Sequence, residues 1–96
     1  MIQHRKIKVG KKSIETFLIP LLGKNFILLK GARGYIMCGY LNLNAARKFR
    51  EVAVKITGVK TIAEALKTSV HSCSPAAAKL GIVKGQPITA VLKIIA

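Results

Sequence analysis

The chain of 96 residues contains no aspartate and only three glutamates, Glu15, Glu51 and Glu64. That scarcity removes most acid–base chemistry. Paired-carboxylate hydrolysis and hard-cation sites both require acids that can be brought together. Here Glu64 has a capping task, Glu15 falls in a hairpin strand and Glu51 follows a basic helix end. A Ser-His-Asp triad cannot be built without aspartate, and only a glutamate variant stays formally open. Tryptophan is missing, and the five aromatics are Phe17, Phe26, Phe49, Tyr35 and Tyr40, so the core must be aliphatic. No apolar run approaches the ~20 residues of a membrane-spanning helix. The longest candidates are interrupted by Pro20, Gly23 and Lys30. The basic N-terminus has no apolar stretch behind it, unlike a signal peptide. A cytoplasmic protein with no membrane partner is expected.

Two cysteines, Cys38 and Cys73, form no C-x-x-C pair. In a reducing compartment they read as buried thiols, although sequence alone leaves a disulfide open. What the chain has in abundance is positive charge: 17 Lys and Arg give a net charge of +14. Such a surface attracts polyanions, unless the lysines are simply a solvated exterior. The cations are densest at Arg5, Lys6, Lys8, Lys11 and Lys12, then at Arg47, Lys48 and Arg50. Neither run is interleaved with aromatics, so the linear sequence gives poor support to a stacking platform for single strands.

The length suits one domain over residues 1–96, with no linker or repeat. "HRKIKV" and "SIETFLI" flank a turn at Gly10-Lys11-Lys12, and Pro20 is expected to end the second strand. "FILLK" is continuously apolar, as in a strand covered on both faces. The glycine-bounded turn "GARG" then leads into "YIMCGYL". Asn42 or Asn44 can cap a short helix over "AARKFR", whose last-turn cations suit the helix dipole. "VAVKIT" alternates as a strand covered on one face. Thr61 and Glu64 make a T-x-x-E capping box ahead of Ile62, Ala65 and Leu66. "SVHSC" reads as a strand, and Ser74, Pro75 and Gly81 delimit a further helix. In the tail, Ile88, Val91, Leu92 and Ile95 favour a helix over a strand. These elements predict an α+β fold with one mixed, mostly antiparallel sheet and short helices packed on it.

Several residues can carry chemistry. His71 and Cys73 leave the same face of a strand, and Cys38 would complete three soft zinc ligands. The spacing matches no zinc signature, so neither metal nor cofactor is expected. A Cys38–His71 nucleophile pair requires the same convergence of separate strands. His4 should be exposed. The Lys30-to-Gly34 turn can offer backbone N–H groups and the cations of Lys30 and Arg33 to an anion. It lacks the P-loop pattern and a following helix, so a plain hairpin turn is preferred. Cys38, beside Gly39 and among Ile36, Met37 and Tyr40, reads first as a small buried hydrophobe.

"GARGYIMCGYLN", "GVKTIAEAL" and "AAKLGIVKG" together resemble the YunC-like family, small archaeal and bacterial proteins grouped as a domain of unknown function. The resemblance covers roughly residues 31–92, and Gly34 to Gly39 is its most specific part. It implies a single small α+β domain with no established activity, and it raises the prospect of a functional role for Cys38. The sequence departs from the family's habit at Ile88, in place of glycine, and in its high charge. "KLGIVKGQPITAV" is also similar to a segment of PDZ domains. Gln86 replaces the usual aspartate and the carboxylate-binding loop is missing, so the likeness is of turn chemistry alone. The resulting expectation is a binding or interaction module, leaning away from an enzyme, with Arg33, Gly34, Tyr35, Cys38, Gly39 and Lys60 as ligand-binding candidates. A polyanion- or nucleic-acid-binding protein and a small enzyme using Cys38 are the alternatives. Homo-oligomerisation through aliphatic surface is the expected form of self-association.

Overall fold

Gly10 makes the first reversal of the chain at φ +64°, a conformation glycine adopts without penalty. With Val9 opposite Lys12, only Gly10 and Lys11 lie in the loop, as a two-residue hairpin requires. The computed structural model describes residues 3–21, 23–38 and 48–96. Strands β1 (Gln3–Val9), β2 (Lys12–Leu21), β3 (Lys24–Lys30), β4 (Tyr35–Cys38), β5 (Ala53–Ile56) and β6 (Ser72–Cys73) form a single sheet in sequence order. Neighbouring strands are antiparallel except for β4 and β5, which run parallel. Helices α1 (Ile62–Lys67), α2 (Pro75–Lys79) and α3 (Ile88–Ile95) complete the described elements. The α+β arrangement is the one expected. The helix expected over "AARKFR" falls mostly outside the described residues.

Period two decides which sheet face is interior. Ile14, Thr16 and Leu18 of β2, Ile27 and Leu29 of β3, Ile36 and Cys38 of β4, and Val54 and Ile56 of β5 are all buried on one face. They pack in one cluster with Ala65 of α1, Ala77 of α2 and Ile88, Val91, Leu92 and Ile95 of α3. Each such large aliphatic side chain contributes about 1.5–3 kcal/mol by leaving water. The tail is therefore helical, with its expected stripe inward. Thr16, buried among these residues, donates its hydroxyl to the Arg5 carbonyl at 3.3 Å.

The caps follow their sequence signals. Thr61 accepts the Glu64 N–H at 3.1 Å, and Glu64 Oε1 accepts the Lys60 N–H at 2.8 Å. The Ser74 Oγ accepts the N–H groups of Ala77 and Ala53 and donates to the Glu51 carbonyl at 2.6 Å. One serine thus caps α2 and ties it to β5.

Three expectations need correction. Pro20 does not end β2, which continues to Leu21 with Pro20 opposite Asn25. Pro20 lies beyond the last described β1 partner, Leu18, where a missing N–H breaks no described ladder bond. "SVHSC" is a strand only at Ser72–Cys73. Val70 instead exchanges backbone bonds with Gly85 and Gln86, and Ser69 bridges Pro87. Finally, β3 is fully covered on one face only: Ile27 and Leu29 are buried, whereas Phe26 and Leu28 are half-buried.

Candidate functional site

The candidate residues separate along β4. Arg33, Gly34 and Tyr35 lie at its start and Cys38 at its end, while Gly39 lies outside the described residues. The "GARG" segment is the tight turn expected between β3 and β4, with Lys30 opposite Tyr35. Two of its N–H groups are committed within the protein. Gly31 donates to the Gly34 carbonyl and Arg33 to the Ile95 carbonyl at the end of α3, both at 2.8 Å. Gly34 packs so closely on Val52 that an added Cβ would lie 2.6 Å from its Cγ1. The Arg33 side chain is exposed. Tyr35 directs its hydroxyl to Glu51 Oε1 at 3.3 Å. Burial, the Glu51 charge and this hydrogen bond, in that order, push its phenol above the ordinary value. Tyr35 is accordingly a neutral donor at physiological pH.

At the other end of β4, the buried Cys38 Sγ accepts the Ile27 N–H at 3.2 Å and donates to the Asn25 carbonyl at 3.5 Å. The thiol satisfies two backbone groups of β3 where the β3–β4 ladder stops. Asn25 then reaches on, donating its side-chain amide to the Lys60 carbonyl at 2.8 Å. Cys38 and Lys60 are therefore linked through Asn25, a residue that carries no signal in the linear sequence. His71 is exposed, with Nδ1 3.2 Å from the Ser72 Oγ. Cys73 is half-buried, its thiol directed at the Ile82 carbonyl and pushed to a higher pKa by burial. Both cysteines are free. Among the described residues, no group of three or more His, Cys, Asp or Glu side chains is placed to hold a metal ion.

The Cys38 geometry yields a labelling prediction. Iodoacetamide at pH 7.5 should modify Cys38 at least about tenfold more slowly than Cys73, because the Cys38 sulfur is enclosed and bonded on both sides. Peptide mass spectrometry over time checks this. Rapid labelling of Cys38 in the folded protein would restore it as a nucleophile.

Basic side chains border two concavities among the described residues. A cleft of about 240 Å³ is lined by Lys6, Ser13, Glu15, Lys30, Gly31 and Ala32. Strand register explains its composition: Lys6 lies opposite Glu15, which lies opposite Lys30, on the sheet face away from the helices. The Glu15 carboxylate between the two lysines is 3.8 Å from His4 Nε2. From the sequence, Lys30 appears only as a cation of the turn and Lys6 only as part of the first basic run, and Ser13 is not selected at all. Their convergence depends on two successive hairpin registers, and only the Gly10 turn advertised one of these. A second hollow, of about 380 Å³, is lined by Arg50, Pro75, Ala76 and Lys79. Arg50 has φ 56°, in the left-handed region. Among the described residues, no lysine or arginine forms an ion pair with a carboxylate. Nor is any described helix long and apolar enough to cross a membrane.

The profile of a domain of unknown function, DUF1805, matches residues 37–95. The chain is 34% identical over 89 residues to the uncharacterized protein YunC of Bacillus subtilis, covering 88% of each chain. A crystal structure of a protein of unknown function, TA1206 from Thermoplasma acidophilum, superposes with a TM-score of 0.96 at 34% identity, covering 100% of this chain and 94% of that one. The YunC-like resemblance in the sequence is thus matched at the level of both sequence and fold. None of these names carries an activity.

Proposed function

The chain belongs to the DUF1805 family, and within that family we propose that it is a binding module for a polyanion, engaging phosphates through the outer surface of β1, β2 and β3. The observation behind this reading is the cleft that faces Lys6 and Lys30 across a single carboxylate. Beside it stand the exposed cations Lys8, opposite Ser13 on the same face, and Lys11 in the adjoining turn. Cations without carboxylate partners keep their full field, and a concave, low-dielectric wall focuses it on an approaching anion. The bonded state of Cys38 supports binding over catalysis. The bonds that Gly31 and Arg33 of the "GARG" turn donate within the protein support side-chain recognition over a backbone cradle.

The test is fluorescence anisotropy with labelled 20-nucleotide single strands and duplexes at 25 to 300 mM salt. Affinity should fall steeply as salt rises, with a log–log slope that reports the phosphates engaged. Lys6→Gln and Lys30→Gln should each lower the slope by about one. Lys67→Gln and Lys93→Gln, on α1 and α3, should leave it unchanged. No binding at 25 mM salt would refute the proposal. Equal effects from all four substitutions would reduce the binding to undirected attraction by a basic protein.

A further inference from the structure

The sheet face opposite the described helices differs from an ordinary solvated lysine surface. Following the registers across it, one rung reads Lys6, Glu15, Lys30 and Tyr35. The next reads His4, Phe17, Leu28, Met37 and Lys55. Strand pitch separates such rungs by roughly 7 Å along the sheet. On β2, β3 and β4 the apolar residues Phe17, Ile19, Leu28 and Met37 of this face are half-buried rather than enclosed. The buried residues of all three helices belong to the cluster on the opposite face.

Within this face, the His4 and Phe17 rings are stacked, with centroids 4.4 Å apart and planes 5° from parallel. β1 is the outermost strand of the sheet, so one face of the imidazole meets Phe17 and the other points away from the described sheet. The His4 side chain is 48% exposed. A parallel aromatic pair open on one side accepts a further flat ring, while Lys6 and Lys30 lie one rung away.

We propose that the polyanion is a single-stranded nucleic acid, with an unpaired base continuing the His4–Phe17 stack and its flanking phosphates on Lys6 and Lys30. This rests on the polyanion reading and specifies its ligand. Duplexes hide their base faces and offer only phosphates, whereas a single strand presents both of the features this surface complements. A second copy of the chain is disfavoured as the occupant, because two faces bearing Lys6, Lys30 and Lys55 would be brought together in a molecule of net charge +14. The linear sequence concealed this feature. The aromatics do not alternate with the cations along the chain but across the strands.

The experiment uses the whole chain with a labelled 12-nucleotide thymidine strand, an abasic strand of the same length and a duplex, at 50 mM salt. The thymidine strand should bind about tenfold or more tightly than the abasic strand, as stacking of a single base allows. His4→Ala should erase about fivefold to tenfold of that preference while leaving the abasic affinity and the salt slope in place. The His4 ring protons should shift upfield by NMR on addition of the thymidine strand. Salt-dependent binding of both strands with equal affinity, insensitive to His4→Ala, would overturn this inference and leave the polyanion reading standing. No binding of any strand at 50 mM salt, nor when the salt is lowered to 25 mM, would remove both. Dimers in light scattering that dissociate in Phe17→Leu would assign the face to a second copy and overturn the inference.

Discussion

Gly31→Ala should destabilise the protein by about 3 kcal/mol, as overpacking of a closed contact does, and lower its midpoint of thermal unfolding by about 15 °C. An added Cβ at Gly31 would lie 2.2 Å from the Ile95 carbonyl oxygen and 2.9 Å from Ile14 Cδ1. The oxygen cannot easily retreat, because it accepts the Arg33 N–H from the same turn. Ile95 itself is fully buried, so moving the end of α3 would disturb the core. Thermal unfolding followed by circular dichroism gives the value. A loss below about 1 kcal/mol would mean that α3 can shift freely, contrary to close interior packing.

The second large effect is expected at Ser74, which is 1% exposed. Ser74→Ala removes the acceptor for two N–H groups, of Ala53 at 3.0 Å and Ala77 at 3.3 Å, and the donor to the Glu51 carbonyl. Buried polar groups left unpaired cost more than the lost bond itself, and the expected loss is about 2–4 kcal/mol. Thr61→Ala removes a solvent-exposed cap and should cost only about 1 kcal/mol. Urea unfolding of both variants at equal pH makes the comparison. Equal losses would show that Ser74 acts as an ordinary helix cap and that its link to β5 is energetically idle.

Ser74 illustrates what was legible in the sequence. Its capping role could be read from Ser74-Pro75 and the following Gly81, because capping is local. Its bonds to Ala53 and Glu51 could not, because they join segments more than twenty positions apart. The tail helix was similarly legible from the spacing of Ile88, Val91, Leu92 and Ile95, all of which are buried. Gly31 looked like a turn glycine, and nothing near it announced the Ile95 carbonyl as its neighbour. "FILLK" misled for a related reason. A continuous apolar run reads the same whether one face or both are covered, and the described helices enclose one side alone. The candidate site suffered most, because Lys6 and Lys30 meet only when both the β1–β2 and β2–β3 registers are known. Cys38 was correctly placed in the interior, but its two hydrogen bonds arise where the β3–β4 ladder stops at Leu28 and Met37, which no composition rule foretells.

The seating of α3 on the β3–β4 turn also sets an order of events during synthesis. Strands β1 to β4 pair only with neighbours in sequence, through short reversals that close in microseconds. Their cover, from Val91 to Ile95, is translated much later. A growing chain therefore carries a paired ribbon with Ile14, Ile27, Leu29 and Ile36 unprotected until the last helix arrives. Long-range closures of this kind are generally the slow ones in folding, and apolar surface left open before them is exposed to aggregation.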